Sequence, residues 1–241
     1  MNKRRRYRAV LFLGTVCLLM VGAGGLRLRS QQRQEALNRQ LIASLVKQDD
    51  HLALSLINAG ADPNTHLEPL PAPSIQQLWD YVLHRSPLPV NDSLPALLIA
   101  CGVYWTDDRG YIYGGHLHST PLVAAMLRHG ANVEVKDDQG WTPLTYAAYQ
   151  KDRKMVDVLL AHGANANAEG LYGGSPLYWA MSFPWGVDDV LSDDSETPGI
   201  LLALLAHGAA PNLPDKGGTL LQHAAKRPDL VAILRKAGAK K

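Results

Sequence analysis

Cysteine is nearly absent from this 241-residue sequence: Cys17 lies in an apolar run and Cys101 in a predicted helix, with no other. Two isolated thiols exclude a disulfide framework and a cysteine zinc site. Acidic residues are missing from the first 33 positions, which hold eight of the 24 lysines and arginines, so residues 34–241 carry 16 basic and 22 acidic groups and are net −6. A net acidic body lacks the basic face that neutralises phosphates, which argues against a nucleic-acid partner. Catalytic signatures are missing too. No Gly-x-Ser-x-Gly elbow, P-loop or paired-histidine metalloprotease motif occurs, and the glycine-rich residues 110–115 lack the strand-then-helix setting of a nucleotide fingerprint. The expectation is a non-enzyme with no cofactor and no small-molecule substrate.

What is present begins with a basic flank at residues 1–8, followed by residues 9–26, which carry no charge. Eighteen residues of helix span about 27 Å, close to a hydrocarbon core of about 30 Å, so residues 9–26 are read as a single transmembrane signal-anchor. A cleaved signal peptide is the competing reading, because Val21-Gly22-Ala23 supplies small residues near a possible cut. The basic first flank favours the N-terminus inside and the following domain outside the cytoplasm, with the cytoplasmic face as the alternative. Residues 27–40 are polar with good helix formers and read as a solvated helical spacer.

The rest of the chain is organised around residues 142–167, TPLTYAAYQKDRKMVDVLLAHGANAN. Thr142-Pro143 is a helix start, since threonine accepts from a free N–H and proline lacks only a donor that would have no helical partner. Leu144, Ala147 and Ala148 share one face; Met155, Val156, Leu159 and Leu160 share another; and Gly163 sits where a helix ends in the left-handed conformation. Two antiparallel helices and a stop cannot bury an apolar face alone, so neighbours are required.

With TPL-x-x-AA followed by V-x-x-LL-x-x-GA-N-x-N, the stretch resembles an ankyrin repeat. The resemblance implies an all-α solenoid of about five helix-turn-helix repeats over residues 41–241, stacked side by side with projecting hairpin loops. Counting from the terminating glycines places repeats near 41–64, 93–134, 138–167, 172–212 and 216–241, with insertions near 65–92, 102–119 and 184–196. In repeat one the count expects Leu41, Ser44, Leu45, Leu52, Ala53, Leu56 and Ile57 to be buried. Leu97, Ala100 and Cys101 match the first-helix positions of repeat two, and Leu221, Ala224 and Ala225 those of repeat five. Residues 74–85 have the spacing of a small amphipathic helix. The basic second helix of repeat five suits the outer end of a stack.

Histidines do not make a metal case. His129, His162 and His207 each precede a terminating glycine, so they recur with the repeat, a helix C-terminal position that favours positive charge. His116 and His118 lack a third ligand, and the acidic residues 188–196 lack the spacing of a calcium loop. Surface aromatics remain. Tyr104, Trp105, Tyr111 and Tyr113 share one inserted loop, Trp141 and Tyr172 fall at inter-repeat tips, and Tyr149 and Tyr178 belong to first helices. The ankyrin resemblance implies protein binding through tips and the concave first-helix face, and large amphipathic rings suit interface anchors. The loop rings have a second reading, in which they fold back over their own backbone. The expected function is a membrane-tethered scaffold for a protein partner. The alternatives are a secreted or periplasmic soluble repeat protein, or an accessory that protects or matures a membrane or periplasmic enzyme.

Overall fold

The computed structural model describes residues 27–66, 94–102, 119–137, 139–170, 173–182, 195–213 and 218–240. The run 9–26, the segment 74–85 and most of each insertion lie outside the described residues. Among the described residues no helix is long and apolar enough to cross a membrane. The described elements are helical. Helix α1 covers residues 27–46 and is followed by α2 (Asp50–Asn58), α3 (Ala96–Ala100), α4 (Thr120–Arg128), α5 (Pro143–Tyr149), α6 (Arg153–Ala161), α7 (Pro176–Met181), α8 (Thr197–Ala206), α9 (Leu220–His223) and α10 (Pro228–Lys236).

Local chemistry accounts for the ends of these helices. Thr142 caps α5 by accepting from the Thr145 N–H, and Asp152 caps α6 by accepting from Met155. At α9, Thr219 and Gln222 form a reciprocal capping box. His129, His162 and His207 are the C-cap residues of α4, α6 and α8. The glycines after them, Gly130, Gly163 and Gly208, adopt φ of +90°, +84° and +86°, the region open to a residue without Cβ.

First helices pack on first helices and second on second: α5 lies against α7, α2 against α4, α4 against α6, and α6 against α8. Among the described residues the main apolar core runs from Leu41 in α1 to Leu234 in α10, and Leu98, Trp141 and Tyr146 form a second, smaller cluster. The lining of the main core explains two departures from the sequence expectation. Leu52 occupies the position of the fully buried Met155, yet is 45 % exposed, because among the described residues no earlier second helix stands beside α2. At the other end Ala225, equivalent to the buried Ala148, is exposed and Val231 half-buried, because among the described residues no further helix pair packs on the outer side of α10. The repeat sets which positions face a neighbour; only the interior repeats have one on both sides.

The repeats are also joined by a ladder of side-chain amides four residues beyond each terminating glycine. Asn64 donates to the Gly130 carbonyl and accepts from Asn132 N–H, at 2.9 and 2.7 Å. Asn167 does the same with Gly208 and Ala210, and Asn212 with Gly238 and Lys240. Between repeats two and three the residue is Glu134, whose Oε1 accepts from Asn165 N–H at 2.8 Å. A carboxylate has no donor for the Gly163 carbonyl. That joint therefore has half of the pattern.

Helix α1 supplies the same pattern at the N-terminal end. Gln34 donates to the Gly60 carbonyl at 2.8 Å and Asn38 accepts from Asp62 N–H at 2.9 Å, while Leu37 packs on the core. Residues 27–36 are exposed. From Gln34 onward, however, the helix is a docked cap, and it runs without a break into the first helix of repeat one.

Candidate functional site

The aromatic residues singled out from the sequence divide into three groups. Tyr104, Trp105, Tyr111, Tyr113 and Tyr172 lie outside the described residues. Tyr149 and Tyr178 sit on α5 and α7, half-buried, with part of each ring at the surface. Trp141 corrects an expectation: it stands at the tip between repeats two and three but is only 5 % exposed. Its indole turns inward, against Tyr146 at 5.0 Å between ring centroids, Tyr149 at 5.6 Å and Trp179 at 4.4 Å. A large apolar ring at a tip has a higher free energy exposed to water than packed against the neighbouring repeat.

The tip is held by Asp137. One carboxylate oxygen accepts from the backbone N–H of Gln139 at 2.9 Å and of Trp141 at 2.8 Å. The other accepts from the hydroxyl of Tyr146, a fully buried residue of α5. Burial raises the Tyr146 phenol far above its ordinary range, and the charge of Asp137 and this hydrogen bond add to the shift, so Tyr146 remains a neutral donor. Sequence reasoning missed this pair. Its one local signal is an aspartate four residues before Trp141 with Gly140 between them, an Asx-type turn, but nothing local tells that Tyr146 will meet it.

Trp141 is the base of a run of rings across consecutive repeats. From Trp179 the run continues to Tyr149 at 5.8 Å and Tyr178 at 5.0 Å, and from Tyr178 to His223 of repeat five at 4.9 Å. The contacts are tilted or edge-to-face, the arrangements that aromatic quadrupoles favour. Tyr149, Trp179 and Tyr178 are half-buried and His223 is exposed, so α5, α7 and α9 together present a continuous aromatic ridge. Its inner side is closely covered. A Cβ on Gly170 would stand 2.8 Å from the Trp141 ring, and one on Gly174 2.7 Å from Trp179 Nε1, so only glycine lets the backbone approach these indoles. The Nε1 groups of Trp141 and Trp179 and the Gln150 Oε1 are buried without a hydrogen-bond partner.

Other candidates are structural in their setting. Cys101 is 1 % exposed in the core, and burial, then the charge of Asp152, pushes its thiol up to about 12, which keeps it un-ionised at neutral pH. His162 makes a 2.9 Å contact through Nδ1 with the carbonyl of Val158 at the end of its own helix. Among the described residues no three histidines, cysteines or acids gather as a metal site would require; His116, His118 and residues 188–194 fall outside them.

Comparison with known proteins agrees with this architecture. Residues 113–192 match the family model described as ankyrin repeats (3 copies). No curated protein matches the chain. Among solved structures, an ankyrin repeat domain from Acinetobacter baumannii is similar, with 28 % identity, covering 83 % of this chain and 81 % of that one at a TM-score of 0.57. Ankyrin repeats as a class mediate protein–protein interaction, and proteins built from them are typically non-enzymatic scaffolds. From the paired helices, the glycine stops and these two similarities, the chain contains ankyrin repeats, matched over residues 113–192, and has the ankyrin-repeat fold.

Proposed function

We propose that this protein is a membrane-tethered scaffold that binds a protein partner along the first-helix face of its repeats. The observation that carries the reading is the aromatic ridge from Tyr149 through Trp179 and Tyr178 to His223, which crosses three consecutive repeats. Half-buried rings on a rigid base offer contact area while little rotamer freedom is left to lose on binding. Tyr149 and Tyr178 are the contact residues. Trp141 serves beneath them as a positioning residue, and Tyr104, Trp105, Tyr111, Tyr113 and Tyr172 are further candidate contacts on sequence grounds.

The tether is residues 9–26, crossing once with the N-terminus inside and the repeats outside the cytoplasm. Its support is the uncharged run itself and the basic flank before it. Carbonate extraction of native membranes, with the mass of the mature chain, tests the tether: retention in the pellet at full mass is expected, and a soluble chain lacking residues 1–23 would reject it.

A photo-crosslinker placed at Tyr178 in the full chain tests the binding face. We expect one discrete crosslinked protein in native membranes, with yield reduced at least about tenfold by Tyr149→Ala, the loss of one anchor of roughly 1.4 kcal/mol or more. An unchanged yield, with the variant's thermal unfolding also unchanged, would overturn the assignment of this face.

A further inference from the structure

Helix α1 places three exposed arginines, Arg27, Arg29 and Arg33, directly after the uncharged run that ends at Leu26. No acidic residue occurs before Glu35, so this stretch has no internal counter-charge. The same helix is fastened to repeat one by the Gln34 and Asn38 hydrogen bonds and by Leu37. Charge and attachment therefore sit on one rigid element.

We propose that Arg27, Arg29 and Arg33 form a binding edge for anionic phospholipid headgroups, which fixes how the repeat stack stands on the bilayer. The proposal rests on the membrane-tether reading above. With residues 9–26 in the bilayer, a rise of 1.5 Å per residue puts Arg33 about 9 Å beyond Arg27, so all three arginines fall within or beside the headgroup layer. Screening limits their reach to roughly 8–10 Å at ordinary ionic strength, which favours the nearest phosphates over distant charges. Guanidinium groups bind phosphate oxygens through paired N–H donors. Arg39 lies about 18 Å from Arg27 along the helix and is out of range, which makes it an internal control. Because Gln34 begins the docked section immediately after Arg33, a lipid contact at the arginines is transmitted to repeat one without an intervening flexible joint.

Full-length protein in mixed phosphatidylcholine and phosphatidylglycerol nanodiscs, released and weighed by native mass spectrometry, reads the lipids it retains. The wild type should retain phosphatidylglycerol preferentially. Replacing Arg27, Arg29 and Arg33 together by glutamine should reduce that preference by about fivefold per arginine, as expected for a basic residue near a charged surface. Arg39→Gln should leave it intact. Equal preference in the wild type and the triple variant, or equal loss in Arg39→Gln, would overturn the edge. Carbonate extraction of the same preparations separates the two readings. A chain that stays in the membrane without lipid preference rejects the edge alone, whereas a chain that is extracted rejects the tether and the edge with it.

Discussion

At the scale of single residues, burial in this fold depends on which neighbours stand on each side. Leu159 is completely buried in the middle of the stack, so Leu159→Ala should cost roughly 2–5 kcal/mol, the lost transfer energy plus an unfilled cavity. Leu52 belongs to a second helix as well but lies at the open end; Leu52→Ala should cost well under about 2 kcal/mol. Urea denaturation of both variants checks the contrast, and equal costs would show that α2 is covered in solution. Cys101 adds a pH dependence. Its folded-state value is about 12 against an ordinary 9.0, so between these limits the unfolded chain releases a proton that the folded chain keeps. Stability is then fully present below pH 9 and falls as pH rises toward 12, by on the order of 1 kcal/mol per unit. Cys101→Ala should flatten that part of the urea midpoint against pH.

At the scale of elements, the joints between repeats are unequal. Asn64, Asn167 and Asn212 each donate and accept across a joint, whereas Glu134 only accepts. Glu134→Asn should supply the missing donor to the Gly163 carbonyl and raise stability by about 0.5–1.5 kcal/mol. Thermal and urea unfolding would show it, and a neutral or destabilising result would mean that the carboxylate has another role at that joint. Helix ends were readable in advance because a cap is local: Thr142 and the residue-163 glycine need only their own turn to do their work. The docking of α1 was not. Gln34 and Asn38 look like ordinary polar spacer residues until Gly60 and Asp62, more than 20 positions away, come within hydrogen-bond distance.

Across the whole molecule, stability passes between nearest neighbours, and the half-bonded joint at Glu134 divides the stack. Hydrogen exchange on Leu159→Ala should show early loss of protection in α5 through α8, with α2 and α4 retaining theirs for longer. Uniform loss along the chain would count against a linear array. The aromatic ridge belongs to this scale too, since Tyr149, Trp179, Tyr178 and His223 meet only after three repeats have stacked.

The repeat period, the helix ends and the positions that must be apolar were determined by the sequence alone, because they follow from local caps and from a spacing that recurs unit by unit. Tertiary structure decided which of those positions stay exposed at the ends, that Trp141 turns inward onto Tyr146 and Trp179, and that the tail of the spacer becomes a cap. Each of those outcomes depends on what a neighbouring repeat places beside the residue. A side chain's own sequence context does not contain that neighbour.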